Sequence, residues 1–115
     1  MCYHTKVRKI YSILEVNMVL KDDAGYQMLL KALLSFKTQE DLDDFLEDIM
    51  TRKEIMDMAQ RMLVAKMLSE QTVYNKIVEQ TGASTATISR VNRSYLYGTG
   101  GYKKALDAIS DDGEK

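Results

Sequence analysis

The side chains best suited to chemistry in this sequence lie between Tyr74 and Arg93, in the stretch YNKIVEQTGASTATISRVNR. They are hydroxyls, amides, small groups and arginines. Such groups rarely break bonds unaided, but they readily make hydrogen bonds to phosphates and to the base edges of DNA. The candidate DNA-contacting residues are Asn75, Ser84, Thr85, Ala86, Thr87, Ser89, Arg90 and Arg93.

The spacing of apolar residues in the same stretch predicts two short helices that clasp each other. The residues expected to meet are Ile77, Val78, Ala83, Ile88, Val91 and Tyr95. Gly82 suits a tight turn with positive φ, Ser84 is a good N-cap for the second helix, and Thr72 is expected to cap the first. The pattern therefore predicts a helix-turn-helix over about residues 72–96. An ordinary αα-hairpin with a solvated polar face is the alternative, because short motifs often match by chance.

The second helix of this motif, from Ser84 to about Leu96, is suited to a major groove because it begins with short side chains and carries no acid. Thr85, Ala86 and Ser89 are expected at base edges, Thr87, Arg90 and Arg93 at phosphates, and Asn75 at the backbone or a base edge.

Composition and charge are compatible with this interpretation. The chain has 115 residues, enough for one domain, and its lack of proline and tryptophan with little β-branched alternation predicts an all-α fold. The net charge is only −1, but residues 38–57 hold eight acids and two bases, whereas residues 69–104 hold five bases and two acids. Such a chain can present its basic part to DNA and keep its acidic part away.

Catalysis is the least favoured class of function. His4 is the only histidine and Cys2 the only cysteine, so no nucleophile–base pair can be assigned. The adjacent carboxylates Asp43 and Asp44 would point outward from a predicted helix and are better explained as solubilising. We therefore expect no catalytic residue, no metal and no cofactor. A single cysteine suits a reducing compartment, no apolar run approaches the roughly 18 residues of a membrane span, and we expect a cytoplasmic protein without a membrane partner.

Helical periodicity and capping signals predict four more helices around the motif. They run from Gly25 to Phe36, from Thr38 to about Met50, from Thr51 to about Leu68, and from about Tyr102 to Ser110. Thr51 and Glu54 form a capping box, and the glycines between Tyr97 and Gly101 are expected to stop the preceding helix. Residues 1–23 are an N-terminal extension of uncertain status, residues 24–110 the domain, and residues 111–115 an acidic tail expected to be disordered.

The predicted helix that begins at Thr51 is unusually apolar. Ten of the fourteen residues from 55 to 68 are apolar, whereas a surface helix needs only one apolar stripe. A single small domain offers little surface to cover such a helix. We therefore expect a homodimer with this helix near the interface.

Two runs carry a resemblance to a known family. AQRMLVAKML at residues 59–68, followed by TGASTATISRV at residues 81–91 and a tyrosine-glycine stretch, resembles the Trp repressor superfamily and, within it, the YerC/YecD branch of Gram-positive bacteria. The resemblance covers about Tyr26 to Ile109. It implies a six-helix Trp-repressor-like fold, an intertwined homodimer and two helix-turn-helix readers.

The resemblance also implies positions for an effector. In the Trp repressor, two arginines sandwich the indole of bound tryptophan, and a glycine follows the second. Arg90 matches the second arginine, Gln60 stands at the first position, and Val91 replaces the glycine with a β-branched side chain that would crowd the space. Tryptophan is therefore not expected as corepressor. Either an unknown small-molecule effector binds near these residues, or the protein needs none.

The expected function is that of a sequence-specific transcriptional regulator, a repressor that binds double-stranded DNA as a homodimer. The alternative is a non-catalytic helical interaction module, which would use its acidic helix or apolar surface to bind a protein partner without specific DNA binding.

Overall fold

The computed structural model describes residues 20–113, and six helices follow one another between residues 24 and 113. They are α1 (Ala24–Ser35), α2 (Gln39–Ile49), α3 (Arg52–Ser69), α4 (Tyr74–Thr81), α5 (Thr85–Tyr97) and α6 (Gly101–Gly113). Residues 20–22 are also helical, and no strand occurs in this range. The prediction of an all-α fold with six helices is confirmed. The interpretations of Cys2 and His4 concern residues outside the described range.

The described residues fall into two compact units, which divide between Leu46 and Glu47. In the described part of the first unit, the Asp23 carboxylate accepts a hydrogen bond of 2.7 Å from the Tyr26 N–H and caps α1. The rings of Phe36 and Phe45 lie 5.2 Å apart between centroids and join the C-cap of α1 to α2. Between residues 20 and 46 the apolar side chains are at most half-buried. This packing therefore leaves much apolar surface of the unit exposed.

Side-chain caps fix the starts of two helices where the sequence predicted them. The Thr38 hydroxyl accepts a hydrogen bond of 3.1 Å from the Asp41 N–H at the start of α2. At the start of α3, Thr51 Oγ1 accepts from the Glu54 N–H at 3.1 Å, and Glu54 Oε1 accepts from the Thr51 N–H at 2.8 Å. This reciprocal pair is a complete capping box, as predicted. An N-cap of this kind contributes about 1 kcal/mol to the stability of its helix.

The end of α3 corrects one prediction. The Gln71 N–H donates to the Leu68 carbonyl at 2.9 Å, and the Thr72 N–H donates to the Met67 carbonyl at 3.0 Å. Gln71 has a φ of 61°. These are the features of a Schellman motif, with glutamine where glycine is usual. Thr72 was expected to cap α4, and that expectation is wrong. The N-cap of α4 is Val73, whose apolar side chain cannot accept a hydrogen bond, while the Thr72 N–H takes part in closing α3.

Replacing Gln71 with glycine is expected to stabilise the protein by about 0.5–1 kcal/mol, since the left-handed conformation strains a residue with a Cβ and does not strain glycine. The free energy of unfolding in urea would measure this gain. Gln80→Gly is the matched control. Gln80 lies exposed within α4, where glycine should cost about 1 kcal/mol. Equal losses for both variants would contradict the assigned role of Gln71.

The second unit holds the buried core. Its buried residues are Val64, Ala65 and Met67 of α3, Ile77 of α4, Ala83 of the turn, and Ile88 and Val91 of α5. Leu68, Val78, Tyr102 and Leu106 pack against them and are partly buried. The predicted clasp between the two helices of the motif is thus present, and α3 forms the base on which it rests. Tyr95, predicted to face inward, is half-buried.

A glycine follows the end of α5, and another is the last described residue of α6. α5 stops at Tyr97, and the Gly98 N–H donates to the Ser94 carbonyl at 2.9 Å. A Cβ at Gly98 would collide with that same carbonyl oxygen, so a side chain there would displace the end of the helix. α6 runs to Gly113 rather than to the predicted Ser110. The sequence from 111 to 113 is Asp-Asp-Gly, and no proline or glycine stands between Gly101 and Gly113.

Candidate nucleic-acid interface

The turn between α4 and α5 sets the position of the candidate DNA-contacting residues. Gly82 follows α4 with a φ of 75°, and its N–H donates to the Val78 carbonyl at 2.9 Å. This left-handed conformation is the one predicted for the glycine of the motif. Ala83, the next residue, is 2% exposed and belongs to the core. The turn is therefore held from both sides, by the end of α4 and by burial of Ala83.

The N-terminus of α5 is capped by Ser84, as predicted. The Ser84 hydroxyl accepts a hydrogen bond of 3.1 Å from the Thr87 N–H and donates to the Thr87 hydroxyl at 3.1 Å. Thr87 does not complete a capping box, because its hydroxyl bonds the Ser84 side chain and not the Ser84 backbone N–H. The two hydroxyls are bonded to each other and hold the first turn of α5 in place. They would therefore affect DNA binding through the position of the helix start.

One face of α5 is buried and the other is open. Ile88 is 0% exposed and Val91 2% exposed, and both rest on the core. The candidate residues exposed on the opposite side are Thr85, Ala86, Ser89, Arg90 and Arg93, and Leu96 and Tyr97 are exposed near the C-terminal end of the helix. Thr87 is half-buried at the edge of this face, as is Asn92, while Asn75 is exposed on α4. The structure therefore collects five of the candidate residues on a single helix face and places Asn75 on the adjoining helix.

The arginines of this face are available to a ligand. The three ion pairs within residues 20–113 join Arg52 to Glu47, Lys53 to Asp57 and Lys66 to Glu70. Arg90 and Arg93 take part in none of them. An unpaired, exposed guanidinium can approach a phosphate without first breaking an internal contact.

Lys103 Nζ lies 5.3 Å from the centre of the Tyr95 ring, which joins the start of α6 to α5. This cation–π contact was not predicted, because it depends on how α6 packs against α5 and no local sequence pattern joins the two residues. It places positive charge beside the C-terminal half of α5.

The three residues considered for an effector do not share one open surface. Arg90 is exposed, but Val91 is buried in the core. Gln60 is half-buried on α3, and its Nε2 donates a hydrogen bond of 3.1 Å to the Thr81 carbonyl at the end of α4. The amide of Gln60 is thus used inside the protein. Sequence reasoning missed this contact, since no local pattern links residues twenty-one positions apart.

Two negative findings concern the described part of the chain. Within it, no group of three or more histidine, cysteine, aspartate or glutamate side chains is arranged to hold a metal ion. None of its helices has both the length and the apolarity to cross a membrane.

Known proteins are similar to this chain over the six helices described above. Residues 24–110 match the model of the family described as Trp repressor protein. The chain is 47% identical over 83 residues to the uncharacterized protein YerC of Bacillus subtilis (strain 168), a match that covers 72% of this chain and 80% of YerC.

Two crystal structures are similar over most of the chain. A TrpR like protein from Eubacterium eligens ATCC 27750 aligns with a TM-score of 0.76 at 45% identity, covering 82% of this chain and 95% of that one. A candidate Trp repressor from Staphylococcus aureus aligns with a TM-score of 0.73 at 39% identity, covering 76% and 87%. Such a fold supports DNA binding and regulation of transcription. The chain belongs to the Trp repressor family, and within it to the branch of TrpR-related proteins that includes YerC.

Proposed function

We propose that this protein is a sequence-specific DNA-binding regulator of transcription that acts as a homodimer. The observation that carries the proposal is the two-sided character of α5. Ile88 and Val91 anchor its inner face in the core, while its outer face bears small polar side chains and two arginines that form no ion pair with the described residues. A helix held this way can enter a major groove as a rigid body.

The homodimer is supported by the apolar surface that one protomer leaves uncovered. The buried residues of α3 are Val64, Ala65 and Met67, all in its C-terminal half. In its N-terminal half, Met56 is 66% exposed and Met58 39% exposed. Methionines exposed on a helix this apolar are expected to be covered by another surface. A second copy of the chain is the partner that is always present.

A two-fold dimer would present two copies of α5. Each copy would enter one major groove, so the operator is expected to be pseudo-palindromic, with half-sites about one helical turn apart. Occupation of such a site near a promoter would exclude polymerase, and we therefore propose repression. A DNA target also supports our proposal of a cytoplasmic location.

The roles on α5 are divided by position and chemistry. Thr85, Ala86 and Ser89 are proposed to contact base edges, with the methyl of Ala86 suited to a thymine methyl. The phosphate contacts are assigned to Thr87, Arg90 and Arg93, with Asn75 reaching the backbone or a base edge from α4. Ser84 contributes through the helix start that it caps.

Arg90→Ala is expected to weaken binding to all DNA sequences and to lower the salt dependence of the binding constant by about one counterion, because a phosphate contact is lost. Thr85→Ala should instead change the preference between sites by about 1 kcal/mol, since a base contact is lost. Binding titrations on the selected site and on single-base variants of it, over a salt series, measure both effects.

Arg52→Ala is the matched control for the loss of an arginine. Arg52 is exposed at the start of α3, outside the helix-turn-helix, and is paired with Glu47. Its removal should leave DNA affinity within about twofold. An equal and uniform loss for the Arg90 and Thr85 variants would contradict the division of roles.

We propose that tryptophan is not a corepressor of this protein. The side chain of Val91 is packed in the core, and the amide of Gln60 is bonded to the backbone of α4. Neither Val91 nor Gln60 therefore offers a free polar group to a ligand bound beside Arg90. If an effector exists, its chemistry differs from that of an indole held between two guanidinium groups.

A further inference from the structure

Gln60 makes the one long-range side-chain hydrogen bond among the described residues. Its Nε2–H donates to the Thr81 carbonyl at 3.1 Å, and so links the middle of α3 to the last residue of α4. The other side-chain hydrogen bonds of the described residues span at most six positions along the chain. Both partners are half-buried, so water competes for this bond less than it does at the surface.

Thr81 is itself hydrogen-bonded to the turn between α4 and α5. Its hydroxyl donates to the Ile77 carbonyl at 2.7 Å and accepts from the Ala83 N–H at 3.1 Å. The carbonyl and the hydroxyl of Thr81 are thus both bonded, one to α3 and the other to the residues on either side of it. Carbonyls at a helix end lack partners within the helix, and here α3 supplies the partner. The position of Gln60 therefore bears directly on the turn that leads into α5.

The remaining contact of α3 with the reader, which comprises α4, the turn and α5, is apolar. Val64, Ala65 and Met67 pack on Ile77, Ala83, Ile88 and Val91. Apolar burial is favourable but not directional, whereas a hydrogen bond weakens steeply when its angle or length changes. A half-buried hydrogen bond at one edge of an apolar contact is well placed to fix the orientation of one helix on another.

We propose that Gln60 is a positioning residue that fixes α4 and the turn on α3, so that the reader is held ready for DNA without a small-molecule effector. The inference rests on the proposed function, because it concerns the regulation of the same reading helix. Under this proposal the side chain of Gln60 joins α3 to the helix-turn-helix formed by α4, the turn and α5. DNA binding by this protein would then be constitutive, controlled by the amount of protein.

Gln60→Met is the first variant to test, because methionine keeps the length and volume of the side chain and removes the donor. DNA affinity for the selected site should fall by roughly 3- to 10-fold, the equivalent of one hydrogen bond. Gln60→Glu should lose at least as much, since a carboxylate has no proton to donate to the Thr81 carbonyl. Gln39→Met is the control, because Gln39 is exposed on α2, and it should stay within about twofold.

Affinity is measured at 25 °C, well below the unfolding transition of each variant, so that lower stability alone does not change it. Hydrogen exchange at the Gly82 and Ala83 amides supplies a second measurement that needs no DNA. Both amides should exchange faster in Gln60→Met than in the wild type or in Gln39→Met. A third sample is wild-type protein unfolded in denaturant, dialysed and refolded, which removes bound small molecules. It should bind DNA as tightly as protein that was never unfolded.

Unchanged DNA affinity in Gln60→Met would overturn the proposal. So would a refolded wild type that binds DNA only after a small-molecule extract of cells is added. If no wild-type sample binds DNA, the proposed function fails, and hydrogen exchange separates the two claims. Faster exchange at Gly82 and Ala83 would then still support the link from Gln60 to the turn, and unchanged exchange would overturn that as well.

Discussion

Replacing Ile88 with alanine is expected to lower the free energy of unfolding by about 2–5 kcal/mol. Ile88 is 0% exposed and lies on α5 against the core that α3 and α4 complete. Alanine would remove three buried carbons and leave a cavity that the surrounding helices can fill only in part. A domain of this size has a total stability of roughly 5–15 kcal/mol, so the variant would approach the limit of folding.

Ile88→Val provides the graded comparison, with an expected loss of about 0.5–1.5 kcal/mol. Urea titrations of the three proteins at one protomer concentration measure the series, because dimerisation would otherwise shift the apparent stability. A loss below about 1 kcal/mol for Ile88→Ala would mean that α5 is not closely packed on the core. The rigid reading helix of the proposed function would then lack its support.

Replacing Met56 with glutamate is expected to weaken the dimer by at least about 30-fold, because an unpaired carboxylate buried in an apolar interface costs about 2 kcal/mol or more. Met56 is 66% exposed in the single protomer, so the substitution should leave the fold of that protomer intact. The loss would fall on the association of two copies. Sedimentation equilibrium over a range of protein concentrations measures the dimer dissociation constant.

Specific DNA binding should fall with the dimer, since two linked readers bind a two-part site far more tightly than one. Gln39→Glu adds the same charge at an exposed position of α2 and should change neither quantity. A Met56→Glu protein that remains a dimer would place the interface elsewhere. A wild type that is monomeric at all concentrations would remove the dimer from the proposal.

Local signals in the sequence predicted much of the fold correctly. The caps at Thr38, Thr51 and Ser84 and the turn at Gly82 each depend on residues within a few positions, and each occurs where it was predicted. The same holds for the inward spacing of Ile88 and Val91. Short-range hydrogen bonding and helical periodicity determine these features, and both can be read directly from residue types.

The features that were missed depend on contacts or conformations without a residue signature. The end of α3 uses Gln71 in a left-handed conformation that normally indicates glycine or asparagine, and Thr72 was consequently assigned to the wrong helix. The hydrogen bond from Gln60 to Thr81 depends on how α3 and α4 pack. The family resemblance implied an effector position for Gln60, whereas its side-chain amide bonds the Thr81 carbonyl at the end of α4.

The candidate site shows the same contrast. Its residues were selected from type and spacing, and the structure brings five of them to the exposed face of α5. Their exposure follows from helical periodicity once Ile88 and Val91 are buried. Their individual roles on DNA depend on the docking of α5 in a groove, which the sequence of one protomer does not determine.

The central claim is sequence-specific DNA binding through α5, and selection of bound fragments from sheared genomic DNA tests it most directly. Wild type and Arg90→Ala are compared side by side over a salt series. We predict that the wild type retains fragments that share a pseudo-palindromic sequence, and that Arg90→Ala retains them only at lower salt. Retention without a shared sequence would contradict specific recognition. No retention of DNA at any salt would contradict the whole account and favour a protein partner.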